Sequence, residues 1–131
     1  MKLTDKQIHD KTNVLSIDCQ NSGRGLVSFG TTAIFALHYS FEDGKERVTN
    51  FTIFDYDTPI CEIYFRLSSD GKPWYFCNKY DAWRYSRTTT KNTKNALELV
   101  VKAIDCKYNI QISADELFTE IDKKERYSEF N

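Results

Sequence analysis

Between Thr31 and Phe41 the odd positions Ala33, Phe35, Leu37, Tyr39 and Phe41 are apolar and alternate with other residues for a full strand's length. A period of two is what a half-buried β-strand requires, and a helix cannot satisfy it. Sheet is therefore the framework, and the neighbouring segments extend it. Val14 to Cys19 alternates in the same way, Asn21 to Gly25 supplies turn residues, and Leu26 to Phe29 returns, which predicts a first hairpin. Glu42-Asp43-Gly44-Lys45 predicts an Asp-Gly turn, followed by Arg47 to Tyr56 with Val48, Phe51, Ile53 and Phe54. Pro59 is expected to interrupt pairing, with Ile60 to Leu67 resuming and Cys61, Ile63 and Phe65 facing one way. Ser68 to Pro73 forms a further turn, read at Asp70-Gly71 as the Asp-Gly type, before a strand from Trp74 to Cys77.

The period then changes. Leu97, Val100, Val101, Ile104 and Tyr108 fall on one helical face, with Ala96, Leu99, Ala103 and Cys106 as a second apolar stripe beside it. A helix this apolar is laid across a sheet or shared with a partner subunit, and the first is the expectation. Thr4 with Gln7 forms a capping box for a short polar helix from Lys2 to Lys11, and Ser113 with Glu116 forms another for a short C-terminal helix. The fold class is α+β: an antiparallel sheet of about five or six strands, then a long buried helix and a short C-terminal one. At 131 residues the whole chain, 1–131, is expected to form a single domain.

Composition and motifs narrow the function classes. The polar opening from Met1 to Asn13 is unlike a signal peptide, and no apolar run approaches the ~20 residues of a membrane span. A cytoplasmic protein without membrane contact is expected. Cys19, Cys61, Cys77 and Cys106 show no C-x-x-C pair and no histidine at zinc spacing, so they are read as reduced core residues. His9 and His38 have no Ser, Cys or carboxylate at a telling spacing, and His38 is read as a half-buried strand residue beside Ile34 and Ala36. No Walker loop or G-x-G-x-x-G is present, and no cofactor or metal is assigned. Asp55, Asp57 and Glu62 are the basis of one catalytic alternative, a small metal-dependent nuclease, although Asp beside Pro59 is equally a turn former. The expectation is a non-enzymatic protein.

The net charge is -1, yet the charge is uneven. Residues 66–97 carry seven basic and two acidic side chains, while the flanking segments are acidic. Within this stretch Arg66, Lys79, Arg84, Arg87, Lys91 and Lys94 interleave with Trp74, Tyr80, Trp83 and Tyr85. Basic side chains among aromatic ones neutralise phosphates and stack unpaired bases, or else they are a solvated face over core aromatics. Ser86, Thr88, Thr89, Thr90 and Thr93 gather where the long helix starts, and one Thr is expected as its N-cap. Free amides there, with Arg84, Arg87, Thr88, Thr89 and Lys91, would suit a phosphate or a partner's carboxylate.

Asp57-Thr58-Pro59-Ile60, Trp74-Tyr75-Phe76 and the run Tyr80 to Lys91, ending Tyr85-Ser86-Arg87-Thr88-Thr89-Thr90-Lys91, resemble a group of small proteins encoded by phages and mobile elements. In that group Tyr-Ser-x-Thr-Thr-x-Lys is usually followed by His; here Asn92 stands in that place. The resemblance spans roughly residues 13–100 and implies an origin, not a mechanism. Small non-enzymatic phage proteins often bind and block a host factor, so the first expectation from that origin is a phage-encoded inhibitor, an anti-defence role of the anti-CRISPR kind, with a host protein such as a CRISPR effector nuclease as partner. The residues themselves leave a second expectation, a direct nucleic-acid binder using the segment from Arg66 to Lys94. Monomer and homodimer are both compatible with the two-striped helix.

Overall fold

The computed structural model describes residues 2–17, 23–41, 46–81 and 85–121. Thr4 caps the first helix, α1 (Asp5–Ser16), its side chain accepting from the Gln7 amide while Gln7 reaches back to the Thr4 amide. The helix runs five residues beyond the expected Lys11 and absorbs Val14, Leu15 and Ser16, so the strand expected from Val14 to Cys19 does not form. The reason is tertiary. Ile8, Thr12 and Leu15 recur at helical spacing, and Leu15 is fully buried under α1 while Val14 points to solvent. Ile17 ends the helix in the left-handed region at φ 49°; Cys19 lies outside the described residues.

The first hairpin joins β1 (Gly23–Phe29) to β2 (Thr32–Phe41) through Gly30-Thr31, where Gly30 takes φ 58°. β3 (Glu46–Asp55), β4 (Thr58–Leu67) and β5 (Pro73–Tyr80) follow, and all five pair antiparallel in sequence order. The expected meander is therefore present with five strands. The Asp43-Gly44 turn lies outside the described residues. Pro59 does not break the ladder: it sits opposite Phe54 beside a register shift between Ile53 and Phe54, where its missing N–H is tolerated. The β3–β4 connection is instead the two-residue turn Tyr56-Asp57, both left-handed at φ 50° and 65°. At Asp70-Gly71 the loop is longer than a two-residue turn. Gly71 N–H donates to the Ser68 carbonyl, Gly71 takes φ 83°, and Lys72 N–H donates to Asp70 Oδ1. β5 also continues three residues past Cys77 and takes in Lys79 and Tyr80.

The long helix α2 (Arg87–Tyr108) crosses the sheet over β2, β3 and β4, burying Ala96, Leu97, Val100, Ala103 and Ile104. Its N-cap is Ser86, not a Thr, since the Ser86 hydroxyl accepts from the Thr89 amide. Thr89 and Thr93 are inside, with Thr93 Oγ1 donating to the Thr89 carbonyl. Of the cysteines, Cys61 is in the core, Cys77 half-buried, and Cys106 on the exposed side of α2, contrary to the expectation of a core residue. Residues 114–121 form α3, entered through Ser113, whose hydroxyl accepts from the Glu116 amide. α3 buries Leu117 and Ile121, sets Phe118 edge-on to Tyr80, and receives the Tyr75 hydroxyl on Glu120 at 2.7 Å. All three helices thus cover one face of the sheet.

Two polar knots pin that covered layer. His38 is 2% exposed. Its Nε2 donates to the Leu15 carbonyl at 2.6 Å, because a carbonyl can only accept. Nδ1 must then accept from Thr49 Oγ1 at 2.7 Å, and Thr49 in turn accepts from the Tyr108 hydroxyl at 2.7 Å. One chain of bonds ties the end of α1, two strands and the end of α2 together. Burial, with the Lys107 charge adding to it and the bond to Leu15 opposing, lowers the His38 pKa to about 4. At the other end of the sheet Asp55, 2% exposed, accepts from Thr31 Oγ1 at 2.9 Å, Thr32 Oγ1 at 3.3 Å and Asn92 Nδ2 at 3.3 Å. That knot joins the β1–β2 turn to the second turn of α2.

Candidate binding face

The alternation on β2 resolves opposite to a simple apolar-inward rule. The even positions Thr32, Ile34, Ala36 and His38 are buried beneath the helices, and the odd positions Ala33, Phe35, Leu37 and Tyr39 point to the uncovered side. The Phe41 side chain lies outside what is described. Small residues such as Ala36 and Gly25, paired across β1–β2, let helix backbone come close, and the larger side chains are left outward.

Strand pairing assembles the outer face from there. Leu26 on β1 sits opposite Phe35, Phe35 opposite Thr52, and Ala33 opposite Phe54. Tyr39 sits opposite Val48, which is buried yet does not join the helix-side core, since neighbours on the outer face cover it. Tyr64 on β4 sits opposite Phe76 and stacks on it with centroids 4.9 Å apart; Trp74 stacks on Phe76 at 5.3 Å. Leu26 is 63% exposed, and Leu37 and Trp74 are each 41% exposed. Among the described residues this largely apolar and aromatic surface extends from β1 to β5, interrupted by Asn50, Thr52 and Glu62, with no helix over it. Exposed patches of that kind mark interaction sites more often than they occur by chance on a monomer.

Among the described residues the charges on this face are Arg24, Glu46, Glu62, Arg66 and Lys79, and all but exposed Arg24, opposite Leu37, are engaged. Arg66 pairs with Glu46 and lays its guanidinium 5.6 Å above the Trp74 ring. Glu62 Oε1 accepts from Asn78 at 3.0 Å and from Asn50 at 3.4 Å. Burial pushes the Tyr64 phenol above its ordinary pKa, and the bond to Glu62 adds to the shift. Lys79, opposite Glu62, pairs with Asp81 at 3.6 Å.

The basic and aromatic stretch singled out in the sequence is accordingly divided by the fold. Arg66, Trp74 and Lys79 belong to the outer face. Tyr80 faces inward and is buried against Phe118. Lys94 is on the helix side, paired with Asp115 at 3.2 Å and 5.8 Å above the Phe118 ring. Arg87 and Thr88 are exposed on the first turn of α2, Thr89 is buried there, Lys91 follows one turn on, and Tyr85 is exposed just before the helix. Trp83 and Arg84 lie outside the described residues. The residues that sequence reasoning missed are Leu26, Phe35, Leu37, Tyr39, Phe54 and Tyr64. Their signal was present: β2 is apolar at odd positions and also carries Ile34 and Ala36 at even ones, more apolar surface than helices on one side can cover.

The catalytic alternatives find no constellation. Both ring nitrogens of His38 are engaged within the core. Asp55 is buried on the helix side, Asp57 is exposed in its turn, and Glu62 is on the outer face, so the three carboxylates do not converge. Among the described residues no three His, Cys, Asp or Glu side chains gather as a metal site, and no helix is long and apolar enough to cross a membrane. Comparison with protein-family models, curated proteins and solved structures yielded no match.

Proposed function

We propose that this is a non-enzymatic binding protein that seats a partner protein on the uncovered face of its sheet. One observation carries the reading: the helices protect a single face, and the other presents Leu26, Phe35, Leu37 and the Tyr64–Phe76–Trp74 row with few, mostly engaged charges. An aromatic-rich, charge-poor centre is how protein interfaces differ from ordinary surface. A phosphate backbone would instead call for several free cations on this face, whereas Arg66 and Lys79 are paired and Arg24, opposite Leu37, stands without an ion pair among the described residues. The partner in this reading is a host factor that a phage-encoded protein blocks in the host cytoplasm, a CRISPR effector nuclease being one such target; the Tyr-Ser-x-Thr-Thr-x-Lys resemblance supports it only through the origin it implies.

The stacked Tyr64–Phe76–Trp74 row favours a second reading, a platform for unpaired bases. The test compares the tagged protein with its Leu26→Asp/Leu37→Asp and Trp74→Ala variants in nuclease-treated host lysate, and titrates all three with fluorescent oligo(dT). Retention of one stoichiometric protein by wild type, its loss from the face variants and unchanged melting temperatures are expected. Oligo(dT) binding that weakens steeply with salt and depends on Trp74 would move the assignment to nucleic acid. Self-association abolished by Leu26→Asp would make the partner a second copy.

A further inference from the structure

On the opposite side of the molecule, where the start of α1 diverges from α2, an open cleft of about 380 Å³ remains. Its floor is apolar: Leu3, Ile8, Phe29 and the buried Leu99. That volume and lining are those of small-ligand sites, which need a few placed polar groups to orient what they hold. Here those groups are graded along α2. Lys91 and Asn95 stand one turn apart on the same helix face, and Lys2 reaches the cleft from the segment before Thr4. Among the described residues neither Lys2 nor Lys91 has an acidic side chain within ion-pair distance, and the first turn of α2 contains no acid. About 16 Å further along the helix, at 1.5 Å per residue, Lys102 marks the other end. Lys102 likewise closes no ion pair among the described residues, but Glu98 precedes it by one turn on the rim of the same cleft and Asp5 lines the adjoining recess with it, so acidic side chains neighbour this end. One end of the cleft is thus cationic, the other close to neutral, and the floor between them apolar.

We infer that this cleft is a binding site for a single-chain aliphatic carboxylate, its head held by Lys91, Asn95 and Lys2 and its chain laid over Ile8, Phe29 and Leu99. Charge complementarity selects an anion over a cation or a neutral alcohol, and the asymmetry of the rim sets its direction. The site is independent of the sheet face and of any partner seated there.

Sodium decanoate, kept below its micelle-forming concentration, is the probe. It is titrated into the full chain by calorimetry and by amide chemical-shift mapping, beside decanol and decyltrimethylammonium. Saturable 1:1 binding is expected, with shifts confined to the α1–α2 cleft and a loss of about fourfold in affinity for each methylene removed. Lys91→Glu is expected to weaken decanoate at least tenfold, Lys102→Glu less than threefold, and Glu98→Gln to tighten it. All three side chains are exposed, so the variants should melt with wild type. No saturable binding, equal binding of decyltrimethylammonium, equal loss in Lys91→Glu and Lys102→Glu, or shifts on Leu26, Leu37 and Trp74 would each overturn the assignment.

Discussion

At Gly25 a single missing carbon decides how the molecule is layered. A Cβ there would stand 2.4 Å from the Val14 carbonyl oxygen, so α1 can rest on β1 only because this residue has no side chain. The obstacle is backbone and cannot swing aside. Gly25→Ala is therefore expected to cost about 2 kcal/mol or more, read as a drop in chemical denaturation midpoint. His38 sets a second expectation at this scale. Its pKa is about 4 in the fold against an ordinary 6.5, so between those values the unfolded chain holds the extra proton. The stability His38 confers is thus fully present above pH 6.5 and lost as the pH falls toward 4, by about 3 kcal/mol. Urea titrations across that window check it. His38→Gln should flatten the pH dependence even though it lowers stability at neutral pH.

Among the elements, the tightest connection and the longest helix each depend on a local device. The β3–β4 turn puts Tyr56 and Asp57 in the left-handed region, where side chains with a Cβ are disfavoured. Replacing the pair as Tyr56→Asn with Asp57→Gly is expected to stabilise the fold by about 1 kcal/mol, visible as a higher thermal midpoint. At α2 the Asp55 knot fixes where the helix meets the strands. Asn92→Ala removes one donor from a buried carboxylate and should cost about 1–3 kcal/mol, with faster hydrogen exchange at the β1–β2 turn and the first turns of α2 as the local signature. In this chain an amide makes the contact to Asp55.

At the scale of the whole molecule, the five strands and three helices among the described residues make two layers, and two layers can bury only one face of a sheet. Leu26 and Leu37, the most exposed apolar side chains of β1 and β2 on the outer face, therefore carry little of the folding energy. Leu26→Lys with Leu37→Lys should change unfolding free energy by no more than about 0.5 kcal/mol, while reducing binding of an apolar dye and abolishing partner capture. A substitution that large and that silent for stability would distinguish a docking surface from misplaced core.

Local periodicity made the meander, the apolar helix, the Thr4–Gln7 capping box and the Ser113 N-cap legible in the sequence, because each is set by residues within a few positions of one another. The amino-acid order also carried the α+β class. What it left open depended on contacts between distant segments. Whether the odd or the even side of β2 meets the helices is decided by which side α1 and α2 can approach, and Gly25 and Ala36 sit on that side. Whether Val14 to Ser16 becomes strand or helix is decided by the space for Leu15 beneath α1. The basic and aromatic segment reads as one patch along the chain. Strand pairing and the reversal into α2 send Arg66 and Trp74 to one side of the molecule and Tyr80 and Lys94 to the other, since adjacency in sequence sets no direction once the chain has turned.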